Sequence, residues 1–371
     1  MFNNIRTALI IDSLCIYGGA ERMLNTTLKL FPQVDIYTLV YDPRYFNKTL
    51  IRECQVHTSF VNRLPGAQKY YRQYLPLLPY AIEQFDLSDY DLLLSFSYAV
   101  AHGVIPQPGQ LHISYLLTPL RYAWQDYHRY VNGNSSLKGG KSWLAKLTLH
   151  YLRIWSVSAS ARVDRLITAS KWGAECAWRA FRRESTVIYP PVDVERFSHC
   201  SERANYYLTV ARLVPQKKVA MIVECFVELG LPLVVIGDGP EFNRIRKLTS
   251  GNIHLMGWQS DDIVRDFMSQ AKGFVHAAEE DFGITLVEAQ ASGCPVIAYR
   301  GGGAKETVID QVTGIFFEHQ TKESLSEAII HFEKIYRQFD ISDLRQNCER
   351  FNQNRYLKEI SAFILNTLEK A

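Results

Sequence analysis

The sequence predicts an α/β protein built from two doubly wound domains. Three observations support this prediction. The chain has 371 residues, which is too long for one ordinary hydrophobic core. Short apolar runs alternate with helical patterns in both halves, as in parallel sheets covered by helices on both faces. The adjacent prolines Pro190 and Pro191 interrupt the chain between the halves.

The individual elements follow from these patterns. In the first half, strands are predicted at 7–11, 34–40, 90–96, 111–116 and 165–169, with a helix within GGAERMLNTTLKLF. In the second half, strands are predicted at 206–210, 233–236, 253–256, 273–276, 295–298 and 313–317, with helices at 221–229, 241–248, 261–270, 284–291 and 323–332. We therefore predict a first domain at 1–192, a second at 193–351, and a terminal helix at 352–371 that packs on the first domain.

Composition narrows the function classes. The formal net charge is only +3, so overall charge does not indicate nucleic-acid binding. The seven cysteines are scattered and form no CxxC pair, which argues against a disulfide framework and a zinc site and favours a cytoplasmic protein. The first residues are typical of a strand rather than of a signal peptide, and no apolar window is long enough to span a bilayer.

Two glutamates in EEDFGITLVEAQASG are candidates for ligand binding. Glu280 precedes a predicted helix, and Glu288 lies about one turn inside it. The backbone N–H groups of Gly283–Thr285 mark a helix start, which favours anions. Glu288 lies among apolar residues, and a carboxylate in such a place needs a polar partner. Sugar and ribose hydroxyls would be suitable partners, whereas either acid alone could simply be a solvated charge.

The stretch EDFGITLVEAQASGCPVIAYRGGGAKETV resembles the signature of family 4 retaining glycosyltransferases. The resemblance implies the GT-B fold, with two Rossmann-like domains facing a central cleft. It also implies metal-independent transfer of a sugar from a nucleotide donor, with no cofactor. Glu280 would then contact the donor sugar, Glu288 the ribose, and the segment Phe282, Gly283, Ile284 and Thr285 would border the donor.

Further segments match this family in the same order. VARLVPQKKV places Arg212 and Lys217 five residues apart, and the resemblance assigns these cations to the donor diphosphate. Fixed cations are chemically suited to this role because the leaving diphosphate gains negative charge. Lys218 stands where the family often has glycine. Catalysis is accordingly assigned to Arg212, Lys217 and Glu280, and no metal ligand is expected.

Backbone contacts are expected from two other loops. HLMGW resembles a segment that would border the nucleobase near Met256 and Gly257. In the first half, IYGGAERM puts Gly18 and Gly19 between a strand and a helix, where backbone can approach a ligand closely. The resemblance places this loop near the donor diphosphate and the acceptor, although two glycines alone could simply form a tight turn.

The segment TPLRYAW resembles a block in a mannosyltransferase-like branch of the family. Leu117 stands where that branch commonly has a histidine that contacts the donor sugar. His102 is a candidate for the missing contact, with a packed or surface histidine as the alternative. Arg121 is a candidate for acceptor or phosphate binding, with a structural salt bridge as the alternative.

Two stretches mix cations with large apolar residues, KYYRQYLPLLPY and KSWLAKLTLHYLRIW. A basic amphipathic helix with tryptophan is typical of a membrane interface, although it is also compatible with a core helix bearing solvated lysines. The location expected is cytoplasmic, with peripheral attachment at the inner face of the plasma membrane as a further expectation.

The sequence thus favours a retaining hexosyltransferase that acts in polysaccharide biosynthesis. Its partners would be a nucleotide sugar, with UDP-glucose favoured narrowly, and a saccharide or lipid-linked saccharide acceptor. A GDP-mannose-dependent mannosyltransferase remains open, as do an epimerase or phosphorylase of the same fold. A non-catalytic nucleotide-sugar-binding subunit is the alternative from a different class.

Overall fold

The chain forms two compact α/β units. The computed structural model describes residues 2, 5–128, 131, 140–200 and 202–370. One unit comprises residues 1–189 and 357–371, and the other comprises residues 190–356, so the chain passes from one to the other at Pro190. The predicted fold class, two Rossmann-like units with parallel sheets, is confirmed.

The first unit is built on a parallel sheet. Among its described residues the sheet has the order β3-β2-β1-β4-β5-β6-β7. The strands are β1 Thr7–Ile11, β2 Asp35–Thr38, β3 Gln55–Thr58, β4 Leu92–Ser97, β5 Leu111–Leu116, β6 Arg165–Thr168 and β7 Thr186–Val187. The helices are Gly19–Thr27, Ala67–Tyr70, Leu78–Glu83, Arg121–Trp124, Gly140–Ser160 and Lys171–Phe181.

The second unit repeats this architecture. Its described strands form a parallel sheet in the order β10-β9-β8-β11-β12-β13. They are β8 Tyr207–Val210, β9 Leu233–Ile236, β10 Ile253–Gly257, β11 Gly273–His276, β12 Val296–Tyr299 and β13 Gly314–Phe317. The helices are Val219–Leu229, Phe242–Leu248, Asp261–Gln270, Ile284–Ala291, Ala304–Thr307, Lys322–Ile335 and Ile341–Glu349.

The core of each unit lies on both faces of its sheet. In the first unit every residue of β1 and β4 is buried, which explains why these strands are mostly apolar in the sequence. In the second unit β9 and β11 are buried throughout. Helices Val219–Leu229 and Lys322–Ile335 pack against this sheet through residues such as Phe226 and Phe332. The central strands are therefore held in place by apolar packing on both faces of each sheet.

The last helix, Gln353–Leu368, runs across the division between the units. From residue 357 onward the chain belongs to the first unit. There Thr367 and Leu368 line a surface cavity together with Asp91, Gln110 and Asp164, which lie close to the amino ends of β4, β5 and β6.

Candidate functional site

In each sheet, the strand order reverses between two neighbouring strands. In the second unit the chain runs outward from β8 to β9 and β10, and then returns to β11 on the other side of β8. Loops that leave the carboxyl ends of such strands diverge and open a crevice, which is where open α/β sheets bind ligands. Arg212 and Lys217 follow β8, and Glu280 follows β11. The loops that carry the two predicted cations and the predicted carboxylate therefore leave neighbouring strands at this switch point.

The loop after β8 is fixed by the neighbouring glycine turn. The Leu213 amide donates to the Asp238 carbonyl at 2.9 Å, and the Glu241 amide donates to the Leu213 carbonyl at 3.0 Å. A Cβ on Gly237 would come within 1.8 Å of the Ala211 carbonyl oxygen, so a larger residue could not occupy this position without displacing the loop. The backbone that carries Arg212 is thereby held in place, while the Arg212 side chain is exposed.

Lys217 ends a short 3-10 turn, Pro215–Lys217, and its ammonium group hydrogen-bonds the Glu280 carboxylate. The Glu280 side chain is only 17% exposed and the Lys217 side chain 27% exposed, so the pair is partly shielded from water. Opposite charges in such a place interact more strongly than at the open surface. The two residues predicted to contact different parts of one donor are thus hydrogen-bonded to each other.

A third side chain adjoins this pair. His276 is the last residue of β11, and its Nε2 lies 3.5 Å from Glu280 Oε1. The ring is 4% exposed, and Nε2 makes no hydrogen bond within the described part of the chain. Burial lowers the pKa of His276 to about 4, against a smaller opposing effect of the Glu280 carboxylate. His276 is therefore neutral at pH 7 and adds no charge to the site.

The glycine triplet supports the loop that carries Glu280. The Gly303 amide donates to the Glu280 carbonyl at 2.8 Å. Gly302 has φ +59, and a Cβ there would lie 2.2 Å from that same carbonyl oxygen. A Cβ on Gly303 would lie 2.4 Å from the Phe282 Cα. The triplet thus lets the 301–303 turn pack directly beneath the backbone of the Glu280 loop.

The segment after Glu280 forms the start of helix Ile284–Ala291. Gly283 is the N-cap residue with φ +88, and Phe282 is buried in an edge-on contact with Phe351. Ile284 and Thr285 are half-buried in the first turn. Glu288 lies one turn further along and is half-buried, while its neighbours Val287 and Ala289 are fully buried.

The loop predicted to border the nucleobase, at Met256 and Gly257, is hydrogen-bonded to the glycine turn at Gly237. The Gly237 amide donates to the Gly257 carbonyl at 2.8 Å, which joins the ends of β9 and β10. Gly257 has φ +71, and the Met256 carbonyl accepts a hydrogen bond from Gln259 at 2.9 Å. The next residue, Trp258, is 75% exposed. The loops after β8, β9 and β10 therefore form one hydrogen-bonded rim.

In the first unit the reversal lies between β1 and β4, and a buried carboxylate joins these strands. Asp12, directly after β1, accepts hydrogen bonds from four successive backbone amides at 98–101, over 2.6–3.0 Å. Burial raises the pKa of Asp12, and the four amides oppose this effect. Asp12 therefore holds the loop after β4 against the loop after β1.

The predicted glycine loop begins helix Gly19–Thr27. The Gly18 amide donates to Glu21 Oε2 at 2.9 Å, which is the glutamate half of a capping box. Glu21 is 4% exposed, and burial raises its pKa to about 7. The Gly18 N–H is thus already used within the helix start.

The two candidates on the sugar and acceptor side lie in different surroundings. His102 is buried, hydrogen-bonded through Nδ1 to Ser97 at 2.9 Å, and packed against Trp155 and Phe181. Burial lowers its pKa to about 3. This is the packed-histidine alternative, so we leave His102 out of the proposed site. Arg121 lies 3.8 Å from Asp126, which matches the salt-bridge alternative.

Sequence reasoning did not single out Asp12, Glu21 or His276. Asp12 and His276 share a signal that could have identified them, because each is a polar residue at the end of an uninterrupted apolar strand. Glu21 lies three residues after Gly18, which is the spacing of a capping box. Within the described residues, no group of three His, Cys, Asp or Glu side chains could hold a metal ion.

Part of the chain is similar to a known protein family. Residues 193–355 match the family model for glycosyl transferases group 1. An uncharacterised glycosyltransferase from Methanocaldococcus jannaschii is 31% identical over 177 residues, which cover 46% of this chain and 50% of the relative. A GDP-mannose-dependent α-(1-6)-phosphatidylinositol monomannoside mannosyltransferase from Mycobacterium tuberculosis is 28% identical over 170 residues, or 38% of this chain and 44% of the relative. The matched segments thus span at most about half of these relatives.

Similarity in fold, unlike similarity in sequence, covers nearly the whole chain. The crystal structure of HepE from Anabaena, in complex with UDP and glucose, superposes with a TM-score of 0.70. The alignment covers 97% of this chain and 99% of that one at 17% identity. At this level of identity the likeness establishes the shared fold, which is the GT-B fold.

Proposed function

We propose that this chain, whose residues 193–355 match the family model for glycosyl transferases group 1, is a retaining glycosyltransferase that uses a nucleotide-sugar donor. The observation that carries the proposal is the contact between Lys217 and Glu280 at the switch point between β8 and β11, with Arg212 on the same loop as Lys217. The group 1 family match over the same unit supports it independently.

Each of these residues of the second unit would bind a different part of the donor. Arg212 and Lys217 would bind the diphosphate, and their fixed charges would stabilise the negative charge that develops as the glycosidic bond breaks. Glu280 would accept hydrogen bonds from sugar hydroxyls and Glu288 from the ribose hydroxyls. The backbone near Met256 and Gly257 would border the base. We also propose that the backbone amides of 283–285 face the diphosphate, since helix starts favour anions.

The transfer step needs no nucleophile from the protein. The acceptor hydroxyl would attack the anomeric carbon on the face from which the diphosphate leaves, and a diphosphate oxygen would take the hydroxyl proton. A new glycosidic bond forms as the bond to the diphosphate breaks, so the anomeric configuration is retained. Because the two cations supply the charge, we propose that transfer proceeds without a metal ion and is unchanged by EDTA.

UDP-glucose is the donor that we propose, with GDP-mannose as the alternative. HepE, the structural neighbour described above, was crystallised with UDP and glucose, whereas the mycobacterial relative is GDP-mannose-dependent by name. The acceptor that we propose is a glycan or a lipid-linked saccharide in polysaccharide biosynthesis. The protein would bind this acceptor in the cytoplasm or at the membrane surface. In that arrangement Gly18, Gly19 and Arg121 of the first unit would lie on the acceptor or diphosphate side.

A donor screen tests the proposal. A donor present at 100 times its Kd stabilises the folded chain by about 2.7 kcal/mol, which raises the Tm of a domain of this size by roughly 5–10 °C. We expect one of UDP-glucose and GDP-mannose to produce this shift, and Arg212→Ala and Lys217→Ala to reduce it at the same donor concentration to about half or less. Absence of a shift with both donors contradicts the proposal. A shift without slow donor hydrolysis or transfer favours a non-catalytic binding subunit.

A further inference from the structure

The helix Gly140–Ser160 carries large apolar side chains on both of its faces. On one face Leu149, Leu152 and Ala159 are buried in the first unit. The opposite face is exposed, with Trp143 65% exposed and Ile154 60% exposed. A helix of a water-soluble domain usually presents polar residues on the side away from its core. The exposed side of this helix is therefore more apolar than is usual for a surface that only contacts water.

The exposed apolar residues lie on one continuous strip. They are Trp143, Leu144, Leu147, Tyr151, Ile154 and Val157. Spacings of three and four residues place side chains above one another on a helix, so these six cover one arc that runs along most of its length. We call this set the apolar strip. Contiguous exposed apolar surface of this kind marks a site of interaction with a protein or a membrane.

The neighbouring segment 71–83 also exposes large apolar side chains. Leu75 packs in one cluster with Leu149 and Leu152 of the helix, and Trp155 Nε1 donates to Glu83 at 2.9 Å. This segment also exposes Leu77 and Tyr80, at 41% and 57%. Two neighbouring elements of the first unit thus present large apolar side chains to solvent.

The two segments that form this surface carry only basic side chains. Residues 54–82 and 140–163 contain seven lysine or arginine residues and no aspartate or glutamate, in a chain that has 38 acidic residues in total, and the adjoining Glu83 is paired with Arg162. Lys146 and His150 are exposed on the helix itself, between residues of the apolar strip. A protein partner could cover the apolar side chains, but the exclusion of acids over both segments matches a surface that is itself negatively charged.

We propose that the apolar strip is a docking surface for the interface of an anionic lipid bilayer. The helix would lie parallel to the membrane plane, because its opposite face is packed in the unit. Its apolar side chains would enter the headgroup and acyl boundary, while the cations would contact lipid phosphates. Trp143 and Tyr151 are suited to this depth, since their rings are apolar with a polar end.

This inference does not rest on the glycosyltransferase proposal, because vesicle binding can be measured without a donor or an acceptor. The full chain would be sedimented with vesicles of 30% phosphatidylglycerol in phosphatidylcholine, and with vesicles of phosphatidylcholine alone. We expect binding to the anionic vesicles that weakens at least several-fold in 0.5 M NaCl and is much weaker without the anionic lipid.

Matched substitutions locate the surface. The double variant Leu147→Glu/Ile154→Glu should lose at least tenfold in vesicle binding while keeping the Tm and donor binding of the wild type. The control is Ile330→Glu, which alters an isoleucine that is 48% exposed on a helix of the second unit and should bind vesicles like the wild type. In the wild type, Trp143 fluorescence should shift to the blue with vesicles, and Trp143→Phe should remove that shift.

Three results would overturn the proposal. One is wild-type protein that stays in solution with anionic vesicles. Another is equal loss of binding in Ile330→Glu and in the double variant. The third is a wild-type dimer, seen by light scattering, that the double variant converts to a monomer without any change in vesicle binding. That result would assign the apolar strip to a second copy of the chain.

Discussion

The contact between Lys217 and Glu280 leads to a prediction about donor binding. In the structure these residues bind each other, yet the proposed function requires Lys217 to bind the diphosphate and Glu280 to bind sugar hydroxyls. A nucleoside diphosphate without a sugar must therefore compete with the Glu280 carboxylate for the Lys217 ammonium group. Removing the charge of Glu280 should consequently strengthen nucleoside diphosphate binding while it impairs sugar transfer.

The expected magnitudes follow from the exposure of the pair. A partly exposed ion pair contributes up to about 1 kcal/mol, so Glu280→Gln should tighten nucleoside diphosphate binding by up to roughly fivefold. Loss of a hydrogen bond to a charged group costs about 1.5–3 kcal/mol, so Lys217→Ala should weaken it by roughly 10–150-fold. With the sugar attached, Glu280→Gln should lower kcat/KM by about 10²–10³, as when one oriented transition-state contact is removed.

The assay is isothermal titration of each variant with UDP and with GDP, followed by kinetics with the donor that binds. Lys322→Ala is the matched control, because Lys322 forms a comparable ion pair with Glu228 in the same unit, away from the switch point. This control should bind and turn over like the wild type. If Glu280→Gln weakens binding as much as Lys217→Ala does, Glu280 positions the lysine and the competition described above is refuted.

Three other predictions concern stability. Lys218 has φ +56, a strained conformation for a non-glycine residue, so Lys218→Gly should stabilise the chain by about 1 kcal/mol in chemical denaturation. Gly303→Ala should lower both the Tm and donor affinity because its Cβ would press on the backbone beneath Glu280, whereas Gly251→Ala, which meets nothing within 4 Å, should leave donor affinity unchanged. Burial raises the pKa of Glu21 to about 7. The protonated side chain therefore contributes stability that is fully present below about pH 4.5 and is lost as the pH rises through 7. Glu21→Gln should accordingly stabilise the chain by about 2–3 kcal/mol at pH 8 and much less at pH 5.

Each of these predictions has a contradicting result. A lower unfolding free energy in Lys218→Gly would show that the lysine side chain contributes more than its backbone strain costs. Equal effects of Gly303→Ala and Gly251→Ala on donor affinity would remove the turn from the site. A pH-independent effect of Glu21→Gln would show that Glu21 is ionised in the folded chain throughout this range.

The central strands were predictable because burial on both faces leaves an uninterrupted apolar run. The ranges Thr7–Ile11 and Gly273–His276 agree with the structure residue for residue. The strands Gln55–Thr58 and Thr186–Val187 were not predicted. Both lie at an edge of their sheet, and both are short and partly exposed, so they carry little hydrophobic signal.

The sequence by itself determined the fold class and the residue types of the candidate site. Spacing and resemblance singled out Arg212, Lys217 and Glu280, and the apolar periodicity placed them in loops after strands. Sequence could not decide how those side chains are partnered, because charge pairing depends on distances between residues that lie 63 positions apart. The pair of Lys217 with Glu280 was decided only by the order of β8 and β11 in the sheet.

Tertiary structure also decided which apolar and titratable side chains meet solvent. His102 and His276 are both histidines near strand ends, but one packs against aromatic rings and the other adjoins a carboxylate. In the helix Gly140–Ser160 large apolar residues occur on both faces, so periodicity alone could not tell a packed face from an exposed one. Only the folded unit distinguishes them, because it buries Leu149 and Leu152 and leaves the apolar strip uncovered.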